Sequence, residues 1–127
     1  MEYQELINRA IYVSGNSYAP YSKFAVGACV LTDDECVYSG CNFENSSFGL
    51  TICAERNAIG SAIADGKMKI KAIAIYSPNA EYCFPCGACR QVINEFKSAE
   101  GVDIITTGAK GMRVDKLEYL LPEGFNL

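Results

Sequence analysis

No histidine occurs among the 127 residues, and this absence narrows the chemistry more than any residue that is present. Histidine is the side chain whose ordinary pKa falls within the physiological range. Without it, a metal site must draw on Cys, Asp or Glu, and acid–base work near pH 7 on a carboxylate, Lys, Tyr, Cys or water. Ser–His and Cys–His nucleophilic mechanisms are excluded unless a different chain supplies the base. Positive charge is scarce as well, with 11 Lys and Arg against 15 Asp and Glu and a net charge of −4. No Lys/Arg run is present, and such a run is the usual footprint of polynucleotide binding. A nucleic-acid polymer is therefore disfavoured as partner. "KMKIKA" at 67–72 spaces its lysines alternately and reads as the solvated start of a strand. No apolar stretch approaches the length of a membrane span. "MEYQELINRAIYVSG" carries acids where a secretory signal needs a basic start and an apolar run. The expectation is a cytoplasmic protein with no membrane partner and with reduced thiols.

Half of the residues are hydrophobic and a fifth are charged, enough for one domain over 1–127 to build a core without disulfides. Seven cysteines, an odd number, suggest metal ligands or small buried residues rather than a disulfide framework. "QELINRAIYVSGNS" sets Leu6, Ile7, Ala10, Ile11 and Val13 on one helical face, stopping near Gly15. "YAPYSK" reads as a turn. "FAVGACVL" and "ECVYSGC" read as strands joined across "TDDE", and "NFENSSFGLT" as a loop. "ICAERNAIGSAIADG" is a helix ending at Gly66, "KIKAIAIYS" a central strand and "PNAEYCF" a loop. "PCGACRQVINEF" is a second helix with Pro85 in its first turn. Two short strands, "VDIITTG" and "GMRVDKL", and a brief helical tail complete the order αββαβαββα. This predicts an α/β protein, a three-layer α/β/α sandwich around a mixed five-stranded sheet, parallel at its centre.

Cys86 and Cys89, three apart at the start of a helix, share one face. Cys53 opens the other long helix. A helix N-terminus favours the thiolate through its partial positive charge and free N–H groups. Two such ends on one sheet edge can bring three thiolates to a single ion. Cys83 is the alternative fourth ligand, which would make "CFPCGAC" a closed cluster, either a structural zinc module or part of an iron–sulfur site. However, Pro85 begins a new helix after extended chain, which turns Cys83 away from that face. Cys29, Cys36 and Cys41 lie in strands and read as small hydrophobes. With three ligands the fourth zinc position stays open, the mark of a catalytic site. Arg56 and Arg90 closely follow proposed ligands and could donate hydrogen bonds to the sulfurs, offsetting the surplus negative charge. Glu55, beside the open position, can shuttle a proton from water to a substrate nitrogen. Its alternative is an acid stabilising the first turn of its helix.

"CAER" at 53–56 with "PCGACRQ" at 85–91 resembles the cytidine deaminases in their small, homotetrameric form. The wider zinc-deaminase signature is H-x-E followed by P-C-x-x-C, with a three-cysteine variant. "YAPYSKFAVGA", "GCNFENSSFG" and "LLPEGF" extend the resemblance over nearly the whole chain. It implies one Zn2+ per subunit on Cys53, Cys86 and Cys89, with Glu55 as acid and base. It also implies a cytidine or 2′-deoxycytidine substrate, deaminated hydrolytically in pyrimidine salvage. Phe24 would pack on the base, and Asn42 and Glu44 would hold the ribose 3′-hydroxyl. The Ala54 N–H would meet the 2-keto oxygen, and the Phe84 carbonyl would face the departing amine. Phe125 would reach the base of a neighbouring subunit, so active sites would be shared within a homotetramer. Phe84 departs from the usual Ser or Thr before Pro-Cys, and Phe48 from a common Tyr, which removes a hydroxyl near the sugar. A blasticidin-type deaminase shares the zinc motif, but the ribose-reading "NFEN" favours a true nucleoside.

Overall fold

Two strands are apolar on both faces, and they dictate the layers. In the computed structural model, which describes residues 1–127, β1 (Gly27–Thr32) is buried along its whole length and β3 (Ile70–Tyr76) along most of it. Successive side chains of a strand point to opposite faces, so both strands need cover on either side. Ala28, Val30, Ile73 and Ile75 join one apolar cluster, and Cys29, Leu31, Ala72 and Ala74 join the other. The first is closed by α2 (Ala54–Ala64) and α3 (Gly87–Glu95), the second by α1 (Tyr3–Ser14). Burying a Leu, Ile or Val side chain is worth about 1.5–3 kcal/mol, so these clusters supply most of the drive for the sandwich. Adding β2 (Val37–Cys41), β4 (Asp103–Gly108) and β5 (Gly111–Lys116) gives a mixed five-stranded sheet in the order β2-β1-β3-β4-β5. The central β3–β4 pair is parallel and the other pairs are antiparallel. The expected three-layer α/β/α architecture is observed, with α4 (Leu117–Leu120) following β5.

Four local expectations need correction. Ile11 is exposed, while Leu6, Ile7, Ala10 and Ser14 form the buried face of α1. Residues 24–26 are not strand. The Asn42 side chain holds them instead, its Oδ1 accepting from the Val26 N–H at 2.9 Å and its Nδ2 donating to the Phe24 carbonyl at 2.8 Å. The expected loop after β2 contains a single 3-10 turn at Phe48–Leu50. Pro85 lies outside α3, because Cys86 takes the capping position with extended backbone. Two of the three lysines of 67–72 meet acids of the β1–β2 turn, Lys67 with Asp34 at 2.6 Å and Lys71 with Glu35.

Glycine sets how deeply α2 seats. A Cβ at Gly40 would overlap the backbone nitrogen of Ala58 and stand 2.9 Å from the Ala54 carbonyl oxygen. The helix backbone therefore rests directly on β2. That contact fixes the depth at which the start of α2 meets the start of α3.

Candidate active site

Cys53 caps α2 and Cys86 caps α3, both with extended backbone. Neither thiol is spent on capping, since no side-chain cap hydrogen bond forms at either end. Both are thus free to turn toward a common point, where Cys89, buried in the first turn of α3, joins them. The three sulfurs lie within 4.8 Å of one another. This is a cysteine cluster able to hold a metal ion. Cys83 stands outside it, half-buried against the larger apolar cluster.

The electrostatics follow from this crowding. Cys89 hydrogen-bonds Cys53 and, with Arg56, outweighs burial to hold the Cys53 thiol down at about 5. Cys89, sharing that bond from the donor side and buried, is pushed upward. Arg56 Nη2 donates to Cys53 Sγ at 3.3 Å, and the bond raises the pKa of the guanidinium. Its Nε is buried without a hydrogen-bond partner. Arg90 takes another course from the one expected: Nε donates to the Pro85 carbonyl and Nη1 to the Leu120 carbonyl, both at 2.8 Å. The last residue of α4 lies against the flank of α3 and offers its carbonyl to the arginine there.

Glu55 is only 5% exposed. Burial pushes its carboxyl up to about 7, with the Cys53 charge adding to the rise. It lines a cavity of about 300 Å3 together with Cys53, Cys86 and Ala54. Phe24, Asn42 and Phe84 line the same cavity, so it gathers five of the side chains expected from the sequence and the backbone of two more positions. A second recess of about 240 Å3, lined by Tyr21, Glu44 and Phe48, shares Ser22 and Thr51 with the first. Phe125 lies outside both recesses, its ring exposed.

Asn42 and Glu44 are engaged before any ligand arrives. Asn42 Oδ1 accepts from Val26 N and from Ser17 Oγ, and one Nδ2 hydrogen goes to Phe24. An amide nitrogen has two hydrogens, so one donor remains. Glu44 accepts from the Tyr21 and Ser22 amides at 3.0 and 3.2 Å and from the Ser22 hydroxyl, and these bonds lower its pKa. The sequence reading missed Ser22, Val26, Thr51 and Cys83 as lining residues. "YAPYSK" was legible as a turn, but not as a donor of amides to a carboxylate some twenty residues on. The Arg113 guanidinium lies over the Phe84 ring at 4.9 Å, a contact between distant segments with no local signal.

Comparison with known proteins points one way. The family model for the cytidine and deoxycytidylate deaminase zinc-binding region matches residues 1–105. A cytidine deaminase of Sporosarcina psychrophila is 40% identical over 127 residues, covering 99% of this chain and 93% of the relative. The crystal structure of a cytidine deaminase from Burkholderia pseudomallei superposes with a TM-score of 0.90 at 41% identity, covering 98% of this chain and 100% of the other. One from Mycobacterium tuberculosis gives 0.86 at 36% identity, covering 100% and 99%.

Proposed function

The chain belongs to the cytidine and deoxycytidylate deaminase family, and from that premise we propose that it hydrolyses cytidine and 2′-deoxycytidine to uridine and 2′-deoxyuridine. Ammonia is released, and the reaction serves pyrimidine salvage. The observation that carries the reading is a buried glutamate that shares one cavity with Cys53 and Cys86, two members of a three-thiol cluster completed by the buried Cys89.

The donor set fits zinc. Three convergent cysteines suit a thiophilic tetrahedral ion, and Arg56 offsets the negative charge they bring. Cys53, Cys86 and Cys89 would hold one Zn2+ per subunit, and with Cys83 outside the cluster a closed four-thiolate module lacks its fourth ligand. When bound, the ion supplies a water acidified toward neutrality and an electrophilic centre.

The protein's own groups do the rest. Glu55 takes a proton from the attacking water as its oxygen bonds C4 and places that proton on ring N3, then carries the proton of the new C4 hydroxyl to the amine as the C4–N bond breaks. A carboxyl pushed up to about 7 suits both halves of that traffic, because a shuttle works best with a pKa near the working pH. In this reading the Ala54 N–H meets the 2-keto oxygen, the Phe84 carbonyl accepts from the departing amine and Phe24 packs on the ring. The remaining Asn42 N–H donates to the ribose 3′-hydroxyl oxygen, and Glu44 accepts that hydroxyl's proton. The exposed Phe125 ring, which lines neither recess of its own chain, is offered to a neighbouring copy in a homotetramer.

Ammonia release from cytidine, with uridine as product, tests the reaction. Replacing Glu55 with Gln is expected to lower turnover by about two to four orders of magnitude, as loss of a general acid–base does, with zinc content unchanged. Retained turnover in that variant removes Glu55 from the mechanism. No release from the assembled, zinc-loaded wild type favours a blasticidin-type substrate instead.

A further inference from the structure

Phe125 combines an exposed side chain with a fastened backbone. Its ring is 66% exposed. Its carbonyl oxygen accepts from two side-chain amides of α3, Gln91 Nε2 at 2.9 Å and Asn94 Nδ2 at 3.3 Å. Asn94 is only 4% exposed, and its Oδ1 accepts from Lys97 Nζ at 3.2 Å. The turn before Phe125 is shaped for this capture. Glu123 has a φ of 55°, in the left-handed region that a side chain seldom adopts. Gly124 packs so closely that a Cβ there would lie 3.0 Å from Asn94 Nδ2 and 3.1 Å from its Cγ. Arg90, next to Gln91, holds the Leu120 carbonyl at the other end of the same segment.

Two side chains of α3 tie the Phe125 backbone, yet the side chain so secured contributes little to this chain's own core. The fastening therefore serves orientation rather than burial. Holding a group in its bound conformation in advance lowers the ordering cost of the contact it makes.

We propose that Gln91 and Asn94 are positioning residues, fixing the Phe125 backbone so that its ring meets the base site of a second copy in one orientation. The proposal rests on the reading of Phe125 given above and adds the residues that act through it. The helix whose first turn carries Cys86 and Cys89 thereby also aims the aromatic that one subunit lends to the next. Gly124 belongs to the device because any larger residue would press on the Asn94 amide.

A double-mutant cycle in the zinc-loaded, assembled protein tests this, with KM and kcat for cytidine measured separately. Phe125→Ala is expected to raise KM about tenfold and Gln91→Leu about threefold with kcat little changed, as loss of a binding contact does. The double variant should match Phe125→Ala alone, since the amide acts only through the ring. Asn94 is buried, so Gly124→Ala replaces it as the second probe and should raise KM in the same direction. An unchanged KM in Phe125→Ala removes the ring from the site and overturns the positioning role with it. A raised KM there, with Gln91→Leu and Gly124→Ala silent or fully additive, overturns the positioning role alone. Loss of kcat in step with lost thermal stability, at constant KM, also overturns it.

Discussion

Cys83 and Cys53 line one cavity, and their thiols are driven in opposite directions. Burial pushes the Cys83 thiol up to about 11, whereas Cys53 is drawn down to about 5 by Cys89 and Arg56. Sulfur becomes a ligand where hydrogen-bond donors and a helix start favour its thiolate, and packing filler where they do not. Cys83→Ala should therefore keep its metal and cost about 1 kcal/mol of stability, the scale of a small buried truncation. Metal analysis beside thermal unfolding checks this, and a metal-free variant would make Cys83 a ligand after all. The cluster itself was legible, because helix-start spacing alone puts Cys86 and Cys89 on one face. The target of Arg90 was not. Its partners are backbone carbonyls, one of them Leu120 at a separation of 30 residues, and a backbone acceptor leaves no mark on composition.

At the scale of elements, periodicity read best where both faces of a strand are apolar, as in β1 and β3. It failed where a side chain stood in for a ladder. Residues 24–26 have strand-like composition, but Asn42 supplies the donor and acceptor that a neighbouring strand would have given. Proline read as a first-turn residue, whereas Cys86 itself caps α3. The seat of α2 on β2 carries the sharpest consequence. Gly40→Ala forces a methyl into the α2 backbone, which cannot swing aside as a flexible side chain would. Calorimetry should show a loss of about 1–3 kcal/mol, the usual cost of overpacking, together with weaker metal retention as Cys53 is displaced. Full stability and full metal retention would mean that the helix can ride outward without disturbing its N-terminus.

For the whole molecule, no helix is long and apolar enough to cross a membrane. Apolar side chains nonetheless reach the surface: Phe43, Leu50, Phe125 and Phe48, the last 71% exposed with its ring 5.5 Å from that of the exposed Tyr21. Large exposed apolar patches commonly mark association surfaces, and their pattern could not be foreseen from a sequence that shows one copy at a time. If sites are shared, two crippled chains should help each other. Refolding Glu55→Gln with Phe125→Ala should recover cytidine turnover well above the mean of the two alone, because some sites in the mixture combine an intact Glu55 with a borrowed ring. Activities that simply average would mean that each copy is self-sufficient. The cluster has a further consequence, for durability. Cys53 and Cys86 come from separate stretches with α2 and β3 between them, so an ion gripping both would rivet the chain across its centre. Because a metal held only by the folded form lends its binding energy to folding, a copy stripped of such an ion would lose its tool and its armour together, and idle molecules would be the ones a protease reaches first.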